Sequence, residues 1–318
     1  MYYIGIDLGG TNIAAGIVDE SYKIIKKAST PTKASRPADE IVADMAKLCA
    51  DLIADCGITV DQIRYVGIAT PGTANSDTGV VEYANNLPFL RYPIADKLKE
   101  KFPVKAVYIE NDANAAAKGE AVAGVAKDAK YSVMITLGTG VGGGMVFDGK
   151  VYSGFNYAGA ELGHMVIEHN GKPCSCGRRG CWEAYSSATG LIRMTREKLE
   201  KTPRDATVMW EMIDGNLDNV SGKTAFAAAR RGDSVGQEVV DEYISYLACG
   251  ITNIINIFQP NVLSIGGGIC NERDFLLKPL METVNRDQYT RNSDNKTQVK
   301  IAALGNDAGI LGAALLRV

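Results

Sequence analysis

The feature that most constrains the fold of this chain is a strand–glycine turn–strand unit that occurs twice. The first copy has predicted strands at Tyr2–Ile6 and Ile13–Val18. The second has predicted strands at Ser132–Leu137 and Met145–Phe147, joined by a run with five glycines at Gly138–Gly144. A strand that leads into another strand, and not into a helix, is unlike the entry of a dinucleotide-binding fold. The repeat predicts a duplicated α/β fold in which both turns face one cleft.

Both glycine turns are candidates for binding phosphate. Adjacent glycines let backbone N–H groups converge on an anion with no Cβ in the way. A tight hairpin would also favour the Gly9-Gly10 pair, whereas five glycines in the second turn exceed what a hairpin needs. Neither turn continues into Gly-Lys-Ser/Thr, which excludes a Walker loop. Asp7 opens the first turn, so we expect it to face the metal ion of a bound polyphosphate.

A metal-binding loop is predicted between residues 159 and 184. His164, Cys174, Cys176 and Cys181 offer one imidazole and three thiolates within a short, glycine-rich segment. Zn²⁺ takes such a set as a closed tetrahedral structural site. A disulfide or idle thiols are the alternative, and His169 is the rival imidazole. Glu161 and Glu183 flank the four ligands without being needed as ligands, which suggests that the loop presents them to a substrate.

Two further strands deliver polar residues at their ends. Tyr65–Ala69 is followed by a Thr-Pro-Gly turn that contains Gly72, and Val107–Ile109 is followed by Asn111 and Asp112. An alanine-rich helix begins directly after Asp112. Ligands of α/β sheets collect at the carboxyl ends of strands, so Asp112 is a candidate catalytic carboxylate. The alternative is that Asp112 only caps the helix.

The remaining elements follow from hydrophobic periodicity. Helices are predicted at Pro37–Cys56, Ile94–Phe102, Ser187–Lys201, Ala206–Met212, Lys223–Arg231, Val235–Phe258 and Ala308–Leu316. Additional strands are predicted at Lys23–Ser29, Val80–Tyr83, Val262–Ile265 and Val299–Ala302.

Composition narrows the class of protein. The 318 residues, with 46% hydrophobic and 22% charged residues, are typical of a globular protein of two domains. A net charge of −3 gives no electrostatic reason to bind nucleic acid or a membrane, and no apolar run is long enough to span one. The N-terminus lacks the pattern of a signal peptide, and the four other cysteines are expected to be core thiols. These features predict a cytoplasmic protein.

The candidate residues together describe phosphoryl transfer to a small hydroxylated molecule. Such chemistry needs a held polyphosphate and a carboxylate that takes a proton from an alcohol. Glycine turns, Asp7 and Asp112 supply these parts, and carboxylates and amides such as Glu161, Glu183 and Asn111 suit the hydroxyl groups of a polyol.

The chain resembles bacterial glucokinases of the family of sugar kinases and repressors named for repressor, open reading frame and kinase (ROK). The resemblance rests, in order along the chain, on IGIDLGGTN, GIATPG, ENDANAAAKGE, LGTGVGGGMV, GAELGH, CSCGRRGCWE and SIGGG. It implies a two-domain, actin-like, ribonuclease-H-like ATPase fold with a zinc-stapled loop. It also implies ATP-dependent phosphorylation of glucose at the 6-hydroxyl, with Mg²⁺ and a structural Zn²⁺.

The resemblance also implies roles for individual residues. Asp112 matches the general base, and Asp7 matches the carboxylate that faces Mg²⁺ through water. Sugar contacts match Gly72, Asn111, Asp112, Glu161, His164 and Glu183, together with either Asn85 or Asn86. The phosphate and nucleotide contacts match Gly9, Gly10, Thr11, Asn12, Gly138, Thr139, Gly140 and Gly267. His164 would bind zinc through one ring nitrogen and reach the sugar with the other.

Several alternatives stay open. N-acetylmannosamine, N-acetylglucosamine and fructose are rival substrates. A sugar-responsive repressor would carry a DNA-binding region before the first hairpin, and an actin-like scaffold would not need Asp112 beside a zinc loop. We expect one domain from residues 1–115 plus 303–318, and a second from residues 116–302 that holds the zinc loop and dimer-forming helices. A homodimer is predicted.

Overall fold

The computed structural model describes all 318 residues. They form two compact units. The first comprises Met1–Met134, Gly144–Ala160 and Ala302–Val318, and the second comprises Ile135–Gly143 and Glu161–Ile301.

The chain contains thirteen strands and ten α-helices. The strands are β1 Tyr2–Leu8, β2 Asn12–Val18, β3 Ile24–Pro31, β4 Ile63–Thr70, β5 Thr73–Asn75, β6 Val80–Tyr83, β7 Leu90–Tyr92, β8 Val107–Asn111, β9 Tyr131–Leu137, β10 Val141–Phe147, β11 Lys150–Val151, β12 Val262–Gly266 and β13 Gln298–Ile301. The helices are α1 Ala38–Asp55, α2 Ile94–Lys101, α3 Asp112–Ala123, α4 Glu183–Ser186, α5 Ala188–Leu199, α6 Met209–Met212, α7 Thr224–Arg230, α8 Ser234–Phe258, α9 Asp274–Asp287 and α10 Ala308–Ala314. None of these helices combines the length and apolar composition that crossing a membrane requires.

Two five-stranded sheets repeat one topology. The first runs β3-β2-β1-β4-β8 and the second runs β11-β10-β9-β12-β13. In the first, β1, β2 and β3 are antiparallel neighbours, and β4 pairs in parallel with both β1 and β8. In the second, β10 and β11 are antiparallel and β12 and β13 are parallel. The matching strand orders confirm the predicted duplication.

Successive side chains along a strand point to opposite faces of the sheet, and both faces of the first sheet are covered. Ile4, Ile6 and Leu8 of β1 pack in one core with α1. Tyr3 packs with α10 on the opposite face, and Gly5 lies there too: a Cβ on Gly5 would stand 1.9 Å from the backbone oxygen of Ile310. Asp7 continues this second face, so the alternation alone directs its carboxylate towards α10.

Helices α3 and α10 pack closely because their facing residues are small. A Cβ on Gly312 would lie 1.8 Å from the backbone oxygen of Ala115. The alanines that favour helix formation in α3 therefore also permit its close approach to α10. The predicted domain boundary at residue 115 falls inside α3, whose whole length belongs to the first unit.

The second glycine run differs from its prediction. Only Gly138–Gly140 form the turn, which is closed by the Gly138 N–H to Gly140 oxygen bond of 3.0 Å, and strand β10 already begins at Val141. Gly144 lies within β10, and it packs so close to α3 that an added Cβ would stand 2.6 Å from the backbone oxygen of Ala113. Part of the run therefore serves backbone packing and not the turn.

Helix α9 is an element that the sequence pattern did not predict. Its buried residues are Leu276, Leu280 and Val284, at regular intervals of four, but Pro279 lies inside it. The core-thiol prediction is right for Cys49 and Cys270, which are buried, and wrong for Cys249, which is exposed on α8.

Candidate functional site

In the first unit, the carboxyl ends of β1, β4 and β8 bring the predicted catalytic residues to one edge. The parallel register sets Asp7 beside Ala69 and Thr70 beside Asn111. Asp112 follows as the first residue of α3. Adjacent carboxyl ends of parallel strands are where α/β folds bind ligands.

Asn111, and not Asp112, caps α3. The Asn111 Oδ1 atom accepts hydrogen bonds from the N–H groups of Ala113 and Asn114, at 3.0 and 3.2 Å. Its Nδ2 atom donates to the backbone oxygen of Gly72 at 3.1 Å, which ties the helix start to the Thr-Pro-Gly turn. Asn111 is therefore the N-cap residue of α3, and Asp112 is the first residue of the helix, where its Oδ1 atom accepts from the Ala113 N–H at 2.9 Å.

The charge of Asp112 acts on the nearby carboxyl of Asp7. Burial, and after it the charge of Asp112, together raise the pKa of Asp7 to about 6. Asp112 is solvent-accessible, yet the protein around its carboxylate raises its pKa as well, against the hydrogen bond that it accepts from Ala113. Two carboxylates that repel each other form a site that favours a cation.

The start of α10 completes the surroundings of Asp7. A Cβ built on Gly309 would lie 2.4 Å from Asp7 Oδ2, so the carboxylate rests against bare backbone. The sequence analysis did not single out Gly309. A glycine inside a predicted helix of small residues is the signal that could have identified it.

The first glycine turn is fixed by its own backbone. The Gly9 N–H donates to the oxygen of Asn12 at 2.9 Å, and Thr32 bonds the oxygens of both Gly9 and Thr11. Gly10, Thr11 and Asn12 are exposed. Asn86 lies beside the turn, with its Cβ 3.8 Å from the Cβ position of Gly10, whereas no such contact involves Asn85. The rigid turn thus presents an accessible backbone.

Gly72 holds a conformation that only glycine adopts readily. Its φ is +88°, and an added Cβ would stand 2.1 Å from the backbone oxygen of Tyr83. The Thr-Pro-Gly turn is therefore pressed against the end of β6, and its backbone oxygen is already engaged by Asn111.

In the second unit, Glu183 lies against the second glycine turn. Its Oε2 atom accepts from the Val141 N–H at 3.0 Å, and a Cβ on Gly140 would stand 2.3 Å from the same oxygen. Thr189 Oγ1 donates to the Thr139 oxygen at 2.9 Å. Gly267, with a φ of +100°, packs on the oxygen of Leu137 directly before the turn. Two predicted nucleotide-binding segments thus adjoin, with a carboxylate holding one of them.

The four predicted zinc ligands form one cluster. Their donor atoms all lie within 4.8 Å of one another. The pairs Cys176 Sγ–Cys181 Sγ and Cys174 Sγ–His164 Nδ1 are each 3.6 Å apart. A disulfide would need about 2.05 Å. Sulfurs that share a tetrahedral Zn²⁺ at bonds of about 2.3 Å stand about 3.8 Å apart, so the donor set fits this ion.

The cluster uses His164 and leaves His169 out. His169 is exposed and contributes no atom to the group of four. Because His164 turns Nδ1 towards Cys174, its Nε2 is the nitrogen left for another partner. Glu183 Oε1 accepts from Ser175 Oγ at 3.3 Å and lies 3.8 Å from Cys174 Sγ, which links the cluster to the glycine turn. Glu161 is exposed and precedes the 3₁₀ helix Leu162–His164.

Comparisons with known proteins match the whole chain. The model of the ROK family matches residues 3–318. The glucokinase of Thermotoga maritima is 36% identical over 98% of this chain and 95% of its own length, and that of Streptomyces coelicolor is 35% identical over 98% and 96%. A ROK glucokinase of Streptomyces griseus, solved with glucose and AMPPNP, is 33% identical with a TM-score of 0.79 over 99% of this chain and 98% of its own. The xylose repressor of Bacillus subtilis is 28% identical over 98% of this chain and 75% of the repressor.

Proposed function

Because the chain belongs to the ROK family, we propose that it is an ATP-dependent glucokinase, which transfers the γ-phosphoryl group of ATP to the 6-hydroxyl of glucose. The glucokinases of two organisms match it at 35 and 36% identity over nearly all of both chains. The structural observation that carries the proposal is the strand end at Asn111 and Asp112, where the asparagine takes over the capping of α3 and leaves the aspartate accessible.

Asp112 acts as the general base in this proposal. Burial raises the pKa of Asp112, which makes its carboxylate a stronger proton acceptor than an ordinary aspartate. It takes the proton of the sugar hydroxyl as that oxygen bonds to the γ-phosphorus and the bond to the ADP oxygen breaks. Its position at the first turn of α3 is fixed by the Asn111 cap.

The glycine turns are proposed to hold the nucleotide. Gly10, Thr11 and Asn12 are exposed beside the half-buried Gly9, and Gly138, Thr139 and Gly140 form the second turn. Gly267 is proposed to line the adenosine.

Asp7 would hold Mg²⁺ through water, and the repulsion between Asp7 and Asp112 would be relieved by a divalent cation. That ion neutralises phosphate charge when it is bound.

The sugar contacts are proposed from both units separately. In the first, the Gly72 turn and Asn111, which has one N–H of its amide left to donate, would bind hydroxyl groups. In the second, Glu161, Glu183 and the Nε2 atom of His164 would do so. A structural zinc ion at His164, Cys174, Cys176 and Cys181 would fix the loop that presents them.

The finer assignments are part of the same proposal. We also propose a homodimer and a cytoplasmic location, as the family resemblance implies. Glucose is proposed over N-acetylated hexoses and fructose because the relatives named above are glucokinases, and this choice depends on the shape of the pocket around Glu183 and Gly72.

The direct test is to identify the product. Purified protein with Mg²⁺-ATP and glucose should yield glucose 6-phosphate, measured through NADPH formation by added glucose 6-phosphate dehydrogenase. ATP consumption without NADPH would contradict glucose as the substrate or the 6-hydroxyl as the acceptor.

A further inference from the structure

A cavity of about 390 Å³ lies in the first unit, beside β8 and the C-terminal residues. Its volume is in the range of small-molecule sites. None of the residues assigned above to sugar, nucleotide or metal lines it. The groups that matter are Glu110, Lys118, Lys150, Ser153 and Arg317.

One part of the cavity wall is cationic. Lys118 is only 2% exposed, and its ammonium donates to the backbone oxygens of Gly149 and Val318 at 2.8 and 2.6 Å. Two acceptors leave the third N–H of the ammonium without one. Arg317 lies over the ring of Tyr108 at 4.6 Å, and Lys150 adds a third positive charge. The cavity wall thus carries three cationic side chains. They outnumber the anions even if a terminal carboxylate at Val318 is counted beside Glu110.

Another part of the wall suits hydroxyl groups. Glu110 is 4% exposed, and its Oε2 atom accepts from Ser153 Oγ at 2.9 Å. Its Oε1 atom accepts from the Asn111 N–H at 2.9 Å and from Asn114 Nδ2 at 3.1 Å. Glu110 Oε2 and Ser153 Oγ keep free lone pairs, which can accept hydrogen bonds from adjacent hydroxyls of a polyol.

We propose that this cavity binds a small sugar phosphate, with the phosphate on Lys118, Lys150 and Arg317 and the hydroxyls on Glu110 and Ser153. Lysine and arginine are the side chains that bind phosphate most strongly. Glu110 directly precedes Asn111 and accepts its N–H, so hydroxyls that bind Glu110 displace the carboxylate that fixes the proposed catalytic strand end. The ligand therefore lowers activity, a consequence that rests on the proposed function, whose product is a sugar phosphate.

Binding is tested by isothermal titration calorimetry. Glucose 6-phosphate is titrated into protein saturated with glucose and AMPPNP, so that the proposed active site is occupied. We expect one further site per chain. Arg317→Ala and Lys150→Ala should each weaken it about tenfold, the loss of one charge-assisted contact. Lys127→Ala, an exposed lysine outside the cavity, is the matched control and should bind as the wild type does.

Two results would overturn the site: no binding heat, or equal affinity in all four proteins. A failure of the proposed function would appear separately, as an absence of glucose or AMPPNP binding in the saturating step.

The regulatory consequence is tested by steady-state kinetics. Glucose 6-phosphate should lower kcat at saturating glucose in the wild type and not in Arg317→Ala, whose activity without the sugar phosphate should be unchanged. Inhibition that is purely competitive with glucose and identical in both proteins would contradict the coupling through Glu110.

Discussion

Asp7 is held in the folded protein at an electrostatic cost. Burial and the nearby charge of Asp112 raise its pKa from 3.8 to about 6, so the folded state favours the protonated carboxyl. Its contribution to stability is therefore complete below pH 3.8 and is lost as the pH rises through about 6. Above about pH 6 the ionised carboxylate therefore opposes folding.

Asp7→Asn should stabilise the protein above neutral pH. A shift of about two pH units corresponds to about 3 kcal/mol, an upper value for the gain in the free energy of unfolding at pH 7.5. The gain should fall as the pH drops through about 6 and vanish well below pH 3.8, where both states of the wild type carry a protonated Asp7. Urea unfolding without added Mg²⁺, at several pH values, measures it.

Asp205→Asn, at an exposed position in a 3₁₀ helix, is the control and should leave the stability nearly unchanged across the same pH range. An Asp7→Asn protein that is less stable than the wild type at pH 7.5 would show that the carboxylate is stabilising after all.

At the level of elements, the turns depend on glycine for different reasons. Gly57 and Gly72 both have positive φ, +64° and +88°, but nothing lies within 4 Å of a Cβ on Gly57, whereas a Cβ on Gly72 meets backbone. Gly57→Ala should cost about 1 kcal/mol through its φ alone. Gly72→Ala should cost at least about 2 kcal/mol more and raise the KM for the sugar, because the clash moves the turn that Asn111 holds. Thermal unfolding and sugar kinetics check both, and equal costs would contradict the close packing against Tyr83.

The zinc loop gives a second prediction at this level. Cys176→Ala should lose bound zinc and sugar phosphorylation together, because the loop orients Glu161, His164 and Glu183. Cys249→Ala, an exposed cysteine on α8 outside the cluster, should keep both. Metal content by inductively coupled plasma mass spectrometry provides the readout besides activity. Full activity of a metal-free Cys176→Ala protein would refute the structural role.

Periodicity and turn chemistry predict most elements of this chain but not all. Strand β6 lies where its pattern places it, and the grouping of His164, Cys174, Cys176 and Cys181 follows from residue type and spacing. Helix α9 escapes prediction because Pro279 interrupts an otherwise regular apolar spacing. Gly144 escapes it because its close approach to α3 joins residues far apart in sequence.

For the whole molecule, the duplicated hairpins predict the paired sheet topologies, since a repeated local pattern folds into a repeated element order. The proposed roles of Asp112, Glu161 and His164 come from the family resemblance. Their geometry in the complex depends on bound sugar and nucleotide, which neither periodicity nor composition describes. The contacts of Glu183 with Val141 and Ser175 likewise join segments that only the folded chain brings together.

The most direct measurement is an ADP-release assay with Mg²⁺-ATP against glucose, mannose, fructose, N-acetylmannosamine and N-acetylglucosamine, run in parallel on Asp112→Asn. A glucokinase with Asp112 as its base should turn over glucose fastest, and the variant should lose about 10²- to 10⁴-fold in kcat. Preference for an N-acetylated sugar would keep the mechanism and contradict the substrate. Wild-type turnover in Asp112→Asn, or no turnover with any of the sugars, would contradict the central claim.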